Sequence, residues 1–165
     1  MSKKSMQQWL SVIVAISICA APLGLFANNR RLTPAAYCDE AGTGGNSHPL
    51  SYGYIEGDSG GFVTCGIPSD TWFSHDDINT INVHIYKATT ASTYARPCVY
   101  KYNDHTTITC DSAKYKSSTG EQTISFSTAS SELDNFTAAG ASSWASSVYV
   151  QLVDGDTLNL IWVSE

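Results

Sequence analysis

The sequence contains little charge, and basic residues are the scarcer kind. Charged side chains make up 15 % of its 165 residues, with 9 Lys and Arg against 15 Asp and Glu, so the net charge is −6. A surface of this sign repels a phosphate backbone, and no cluster of basic residues compensates for it. We therefore expect no nucleic acid among the partners.

The chain also lacks an uninterrupted apolar run of the length that a membrane-spanning helix needs, about 20 residues. Its longest apolar stretch is "WLSVIVAISICA", which follows Lys3 and Lys4 and is followed by Pro22. A short basic segment, an apolar segment and small residues up to Ala27 are typical of a secretory signal peptide. A retained membrane anchor is the alternative, which Pro22 disfavours.

Cleavage after Ala27 divides the chain into a signal peptide, 1–27, and an exported domain, 28–165. Cleavage removes two lysines and no acidic residue from the chain. The remaining 138 residues carry 7 basic and 15 acidic side chains, a charge of −8. This length suits one domain with a single core. We expect a secreted protein, or one in the periplasm or at the cell surface, with no stable membrane span.

No C-x-x-C motif or paired Cys/His spacing occurs, which disfavours a zinc site. Of the 5 cysteines, Cys19 belongs to the signal peptide, and the other four are Cys38, Cys65, Cys98 and Cys110. An even number of cysteines in a small exported domain predicts disulfides, here two. We expect no metal and no cofactor.

One disulfide pairing is favoured by local geometry. The segment "CVYKYNDHTTITC" consists of two β-rich arms around Asn103-Asp104-His105. A hairpin centred on Asp104 places Cys98 opposite Cys110, within bridging distance. The pair of Cys38 with Cys65 then follows by elimination.

No segment has a sustained helical period, whereas alternation of apolar and polar residues recurs between Gly, Asp, Asn and Ser clusters. In "TINVHIYK", Ile81, Val83 and Ile85 alternate with polar positions, and "QTISFST" places Ile124 and Phe126 on one face. Short strands separated by turns predict an all-β protein. We expect a single antiparallel β-sandwich, jelly-roll or Ig-like.

The carboxyl-terminal segment "SVYVQLVDGDTLNLIWV" predicts a hairpin with the loop Asp154-Gly155-Asp156. This register places Val150 opposite Leu160 and matches apolar residues on one face, with Trp162 in the core. Residues 127–147 are small and polar, and we expect a long connection there with one helical turn near Glu132.

The stretch "EGDSGGFVTC", residues 56–65, resembles the nucleophile segment of trypsin-like serine proteases. The resemblance implies Ser59 as nucleophile, with Gly57 donating to the oxyanion and Asp58 paired with an amino terminus. Such enzymes need a histidine and an aspartate that reach the serine. Upstream of Ser59 the exported domain offers only His48, in "GGNSHPL", so we interpret the match as coincidental.

The same letters satisfy G-x-S-x-G, which is a nucleophile elbow only where a strand turns into a helix. The following residues, "GGFVTCGIP", cannot form that helix. We therefore interpret the segment as a turn in which Gly57, Gly60 and Gly61 supply positive-φ positions. A small serine hydrolase that uses Ser59 with a downstream histidine, His75, His84 or His105, is the alternative.

Aromatic side chains indicate the ligand class to consider first. Tyr and Trp can stack on sugar rings while their polar edges form hydrogen bonds. The candidates are Trp72, Trp144, Tyr86, Tyr100 and Tyr102. Glycans, or cell-surface and matrix components, are the expected partners.

Two acidic segments could supply oxygen ligands to calcium. They are "SHDDIN", residues 74–79, and the loop with Asp154 and Asp156. Neither is a sequential ligand loop, so we interpret both as solvated turns.

As a whole, the exported part is similar to small proteins exported by Gram-negative bacteria. The matching segments are "YCDE", "SYGYIEGDSGG", "CGIPSDT", "VHIYKATTA", "ARPCVY" and "WVSE". The resemblance implies an exported β-sandwich and no defined activity. We expect a non-catalytic binding or matrix module, the alternatives being the hydrolase and a structural subunit that self-associates through β edges.

Overall fold

The computed structural model describes residues 29–40, 47–49, 53–57, 61–68, 77–101, 108–138 and 144–165. The expected signal peptide lies outside these residues, as do Ser59, Trp72 and Tyr102. Among the described residues, no helix has the length and apolar character required to cross a membrane.

The described chain consists of short strands with two short α-helices. The strands are β1 (Asn29–Leu32), β2 (Cys38–Glu40), β3 (Ser47–Pro49), β4 (Ile55–Gly57), β5 (Phe62–Ile67), β6 (Thr80–Lys87), β7 (Thr93–Lys101), β8 (Ile108–Cys110), β9 (Lys114–Lys116), β10 (Gly120–Ser127), β11 (Trp144–Gln151) and β12 (Thr157–Ser164). The helices are α1 (Pro34–Tyr37) and α2 (Asp134–Ala138), with a 3₁₀ turn at Thr128–Ser130.

The strands form two six-stranded sheets. The front sheet has the order β10-β6-β12-β4-β3, with β1 also paired to β12. The back sheet has the order β2-β5-β11-β7-β8, with β9 also paired to β7. All of these pairs are antiparallel. The predicted antiparallel β-sandwich is confirmed.

The core lies between the two sheets and follows the alternation of the sequence. In β6 the residues Ile81, Val83 and Ile85 are buried, and in β10 Ile124 and Phe126 are buried. Successive side chains of a strand point to opposite faces, so the polar residues between them lie on the outer face of the front sheet. The back sheet contributes its own buried alternating residues, among them Val63, Ala95, Val99, Val148 and Val150.

Both disulfides form as predicted, and both lie in the back sheet. Cys98 is directly opposite Cys110 in the β7–β8 pair, and Cys38 is opposite Cys65 in the β2–β5 pair. Each bridge therefore ties an edge strand to its neighbour.

The predicted carboxyl-terminal hairpin is wrong. β11 lies in the back sheet between β5 and β7, whereas β12 lies in the front sheet beside β6, β1 and β4. The segment 152–156 therefore crosses from one sheet to the other. Each strand gains hydrogen-bonded neighbours on both sides, which a hairpin with one shared edge would not provide.

Two residues near this crossing also differ from expectation. Asp156 is completely buried rather than solvated. Gly57 does not have a positive φ; a Cβ there would lie 2.5 Å from the Cβ of Leu152. Glycine is required at Gly57 because two chain segments approach closely, not because the backbone is left-handed.

Trp162 does not enter the core. Its neighbours Ile161 and Val163 are buried between the sheets, so Trp162 points to the outer face of the front sheet and is partly exposed. There the guanidinium of Arg31 lies 5.3 Å from the centre of its ring, a cation–π contact.

The segment between β10 and β11 contains more helix than the single turn expected. Leu133 and Phe136, at the start of α2, are fully buried in the core. The carboxylate of Asp111 accepts hydrogen bonds from the backbone N–H groups of Asn135 and Phe136, at 3.0 and 3.1 Å. These bonds satisfy N–H groups that the first turn of a helix leaves unpaired.

A candidate ligand-binding groove on the front sheet

The outer face of the front sheet carries a groove of about 520 Å³. It is lined by Tyr54, His84, Ile85, Glu121, Gln122, Thr123, Asn159 and Leu160. These residues belong to β10, β6 and β12 and to the residue that precedes β4. The front groove therefore runs across three strands and the residue before a fourth. Its length across the strands is on the order of 14 Å, because neighbouring strands lie about 4.8 Å apart.

The floor of the front groove is a row of side chains from three adjacent strands. Thr123 is paired with His84, and His84 is paired with Leu160. The hydroxyl of Thr123 and Nδ1 of His84 share a hydrogen bond of 3.1 Å. Within the described part of the chain, Nε2 of His84 is buried and has no hydrogen-bond partner, so it is a polar atom of the floor left unsatisfied there.

A β-bulge shapes one side of the groove. The register of β12 against β6 shifts between Leu158 and Leu160, so Asn159 is the extra residue. A bulge bends its strand and reorients the side chains around it. Asn159 and Leu160 both line the groove as a result.

Two tyrosines border the groove with large exposed surfaces. Tyr54 is 42 % exposed and lines it directly, and Tyr86 is 47 % exposed. Tyr86 is paired with Glu121 and with Thr157, in the row beside the floor. Tyr54 follows Gly53, whose φ of +86° is accessible mainly to glycine.

The outer face of the back sheet is aromatic too, but its rings contact one another. Tyr94 lies between Phe62 and Tyr115, with ring centres 6.1 and 5.2 Å apart and interplanar angles of 67° and 52°. The guanidinium of Arg96 lies 5.5 Å from the ring centre of Tyr149. Rings that are tilted and packed against one another stabilise the sheet, and they do not form a flat surface on which a sugar ring could stack.

The structure separates the predicted ligand-binding residues. Tyr86 is on the front sheet, whereas Tyr100 and Trp144 are in β7 and β11 of the back sheet, where Tyr100 pairs with Ala145 and Trp144 with Lys101. Tyr86 and Tyr100 are therefore not brought together. Trp72 and Tyr102 lie outside the described residues, and their role stays a prediction.

Several groove residues were not predicted as site residues. In the sequence His84 is a candidate only as a partner of Ser59, and Tyr54, Thr123 and Asn159 are not candidates. The alternation in "TINVHIYK" places His84 on the same face as Tyr86, which is a usable signal. The bulge at Asn159 has no such signal, because it depends on pairing between distant strands.

The described residues offer no obvious site for a metal. Among them, no group of three or more His, Cys, Asp or Glu side chains is close enough to hold an ion. Asp156, one of the acidic residues considered for calcium, accepts a hydrogen bond from Lys87 instead. Of its companion segment, 74–79, the first three residues lie outside the described part of the chain.

Fold and groove together define the class of the molecule: an antiparallel β-sandwich with a polar, tyrosine-bordered groove on one outer face. No protein-family model and no curated protein sequence matches the chain. Solved structures do match. The xylan-binding module CBM15 aligns with a TM-score of 0.53 and 10 % identity over 84 % of this chain and 96 % of that module.

Two further structures align more weakly. The low-affinity xylan-binding module CBM86 from Roseburia intestinalis has a TM-score of 0.49 and 10 % identity, over 84 % of this chain and 95 % of that one. The carboxyl-terminal CBM6 of a laminarinase from Zobellia galactanivorans has a TM-score of 0.40 and 14 % identity, over 84 % and 100 %. At these identities the likeness concerns the fold alone.

Proposed function

We propose that the chain is a non-catalytic carbohydrate-binding module that acts outside the cell or at its surface. The observation that carries this proposal is the front groove, which combines an exposed lining tyrosine, a second exposed tyrosine in the next row, and hydrogen-bonding side chains of which Glu121 carries a charge. Tyr54 and Tyr86 offer ring faces on which a sugar can stack. The fold shared with the xylan-binding module CBM15 supports the same ligand class. The two disulfides fit an oxidising compartment.

Neither alternative function is supported by a described residue. Ser59 lies outside the described part of the chain. His84, one of the histidines that would have to serve it, shares a hydrogen bond with Thr123 in the groove floor. Self-association through β10, an edge strand of the front sheet, is opposed by side chains that occupy its outer backbone groups.

The proposal is tested by affinity gel electrophoresis and calorimetry with soluble xylan and mixed-linkage β-glucan. We expect Tyr54→Ala and Tyr86→Ala each to weaken binding about fivefold, which corresponds to the loss of about 1 kcal/mol of stacking. Tyr115→Ala is the matched control, because Tyr115 is 62 % exposed on β9 of the back sheet.

The control should bind like the unchanged protein. Loss of binding in Tyr115→Ala alone would move the site to the back sheet. No binding to any glycan by the unchanged protein would contradict the proposal itself. Trp72→Ala and Tyr102→Ala, measured in the same assay, test whether these two predicted residues take part.

A further inference from the structure

We infer that the front groove selects uncharged glycan chains and rejects acidic ones, an inference that rests on the proposed function. The selectivity would arise from the charges that surround the groove rather than from the sugar units themselves. It follows from the charged side chains that line the groove or lie in the rows beside its floor.

The carboxylate that lines the groove belongs to Glu121, and a second carboxylate lies in the same row. Glu121 is exposed on β10. Glu56, on β4, is paired with Thr157, which in turn is paired with Tyr86. Both carboxylates therefore belong to the row of Tyr86, beside the groove floor. A carboxylate on a bound chain would meet like charges there.

The described cations lie elsewhere or have other partners. Arg31 is in the row on the other side of the groove floor, where its guanidinium lies over the ring of its strand partner Trp162. Lys87 is completely buried against Asp156. Lys114, beyond the β10 edge, is paired with Glu132 and donates to the carbonyl of Ser125. Arg96 is on the back sheet, over Tyr149. None of the described residues that line the groove is a lysine or an arginine.

The uncharged lining suits hydroxyl groups. Thr123, Gln122 and Asn159 offer both donors and acceptors, as a sugar hydroxyl does. Specificity for a neutral polyhydroxylated chain needs no cation, whereas an acidic chain would bring carboxylates that nothing in the described groove neutralises.

The test uses two pairs of polymers that share a backbone and differ in charge. Neutral arabinoxylan is compared with glucuronoxylan, and hydroxyethyl cellulose with carboxymethyl cellulose. At low ionic strength we expect the acidic member of a bound pair to be retained at least about fivefold less. The difference should shrink as salt is raised, because screening shortens from about 30 Å at 0.01 M to about 8 Å at 0.15 M.

Substitutions locate the source of the selectivity. Glu121→Lys should raise the ratio of acidic to neutral retention at least about fivefold. Asp39→Lys makes the same charge change at an exposed position on β2 of the back sheet. With both variants compared at 0.15 M salt, Asp39→Lys should leave the ratio within about twofold, because packed sheets lie about 10 Å apart and the screening length is about 8 Å.

The outcomes separate this inference from the proposed function. Equal or stronger retention on the acidic polymers, or an equal effect of both substitutions, would overturn the charge selectivity while leaving glycan binding intact. Retention on none of the four polymers would overturn the proposed function and the selectivity with it.

Discussion

The least expected residues are three polar side chains sealed inside the sandwich. Lys87, Thr93 and Asp156 have no exposed surface. Nζ of Lys87 donates to Oδ2 of Asp156 at 2.6 Å and to the hydroxyl of Thr93 at 3.0 Å, and Thr93 also bonds to Asp156. The backbone N–H of Ala88 donates to Oδ1 at 2.9 Å. The group joins the end of β6, the start of β7 and the crossing segment.

Removing one partner of this group should be costly. Lys87→Met leaves the Asp156 carboxylate buried without its counter-charge, and we expect a loss of about 3–5 kcal/mol in the free energy of unfolding by urea denaturation. The double variant Lys87→Met/Asp156→Leu should recover most of that loss, because apolar residues of similar volume replace a buried pair at little cost. A single-variant loss below about 1 kcal/mol would contradict a buried, coupled pair.

This group could not have been predicted from the sequence. Lys87 and Asp156 are 69 positions apart, and the acidic loop "DGD" is locally typical of a solvated turn. Trp162 was misplaced for a related reason. Strict alternation places Leu158 and Trp162 on one face, but the bulge at Asn159 interrupts the alternation, so Trp162 turns outward. Single residues were predicted well only where local alternation determined their side.

At the scale of the element, the edge strand β10 shows how side chains protect a sheet. Its outward backbone groups are open to pairing with another chain. Nζ of Lys114 donates to the carbonyl of Ser125 at 2.7 Å, and Glu132 accepts from the N–H of Ser127 at 3.1 Å. Lys114 and Glu132 also form an ion pair. This edge clamp fills hydrogen-bonding positions that a second strand would need.

The edge clamp should make stability depend on pH. The hydrogen bond from Lys114 is the main cause that lowers the pKa of Glu132; burial opposes it, and the backbone N–H of Ser127 and the charge of Lys114 lower the pKa further. Because the folded-state pKa lies below the unfolded one, the stabilisation is present above about pH 4.3 and is lost as pH falls through the folded value.

Comparison with Glu132→Gln isolates this effect. Both partners are partly exposed, so we expect the substitution to cost only about 0.2–1 kcal/mol at neutral pH. The difference between the two proteins should shrink towards zero below about pH 4. Urea denaturation of both proteins across this range is the measurement. A difference that stays constant with pH would show that the carboxylate charge is not what stabilises the edge.

The sequence predicted some strands together with their pairing, and others only as strands. β6 and β10 follow from strict alternation, and the β7–β8 register follows from two cysteines around a central turn. β11 and β12 were recognised as strands but paired with each other, because the matched apolar pattern satisfied a hairpin equally well. The short-range pattern of apolar residues does not distinguish a hairpin from a connection that crosses between sheets, because the strand after the turn carries apolar residues in both arrangements.

At the scale of the molecule, the class of fold was predictable and the groove was not. Alternation, turns and cysteines suffice for a disulfide-linked antiparallel sandwich. The front groove requires the strand order β10-β6-β12 and a bulge in β12, which bring together Thr123, His84 and Leu160 from distant segments. Aromatic residues chosen by type alone were therefore divided between two opposite sheets.

The two sheets also differ in how they are held. Both disulfides lie in the back sheet, whereas the front sheet, which carries the groove, relies on backbone pairing and the shared core. Stability and ligand binding should therefore be separable. Cys38→Ala/Cys65→Ala opens a link between residues 27 positions apart, and we expect a loss of about 3–4 kcal/mol in the free energy of unfolding.

The pair Cys98→Ala/Cys110→Ala removes the shorter link, 12 positions apart, and should cost slightly less because a shorter loop constrains the unfolded chain less. Calorimetric unfolding gives the two losses, and glycan affinity is measured at a temperature where both variants remain folded. The affinity for the glycan should stay within about twofold of that of the unchanged protein. Changes at well-separated sites contribute independently, so a loss of folding free energy in the back sheet should not alter the free energy of binding. A variant that is folded but no longer binds would show that the back sheet sets the geometry of the groove.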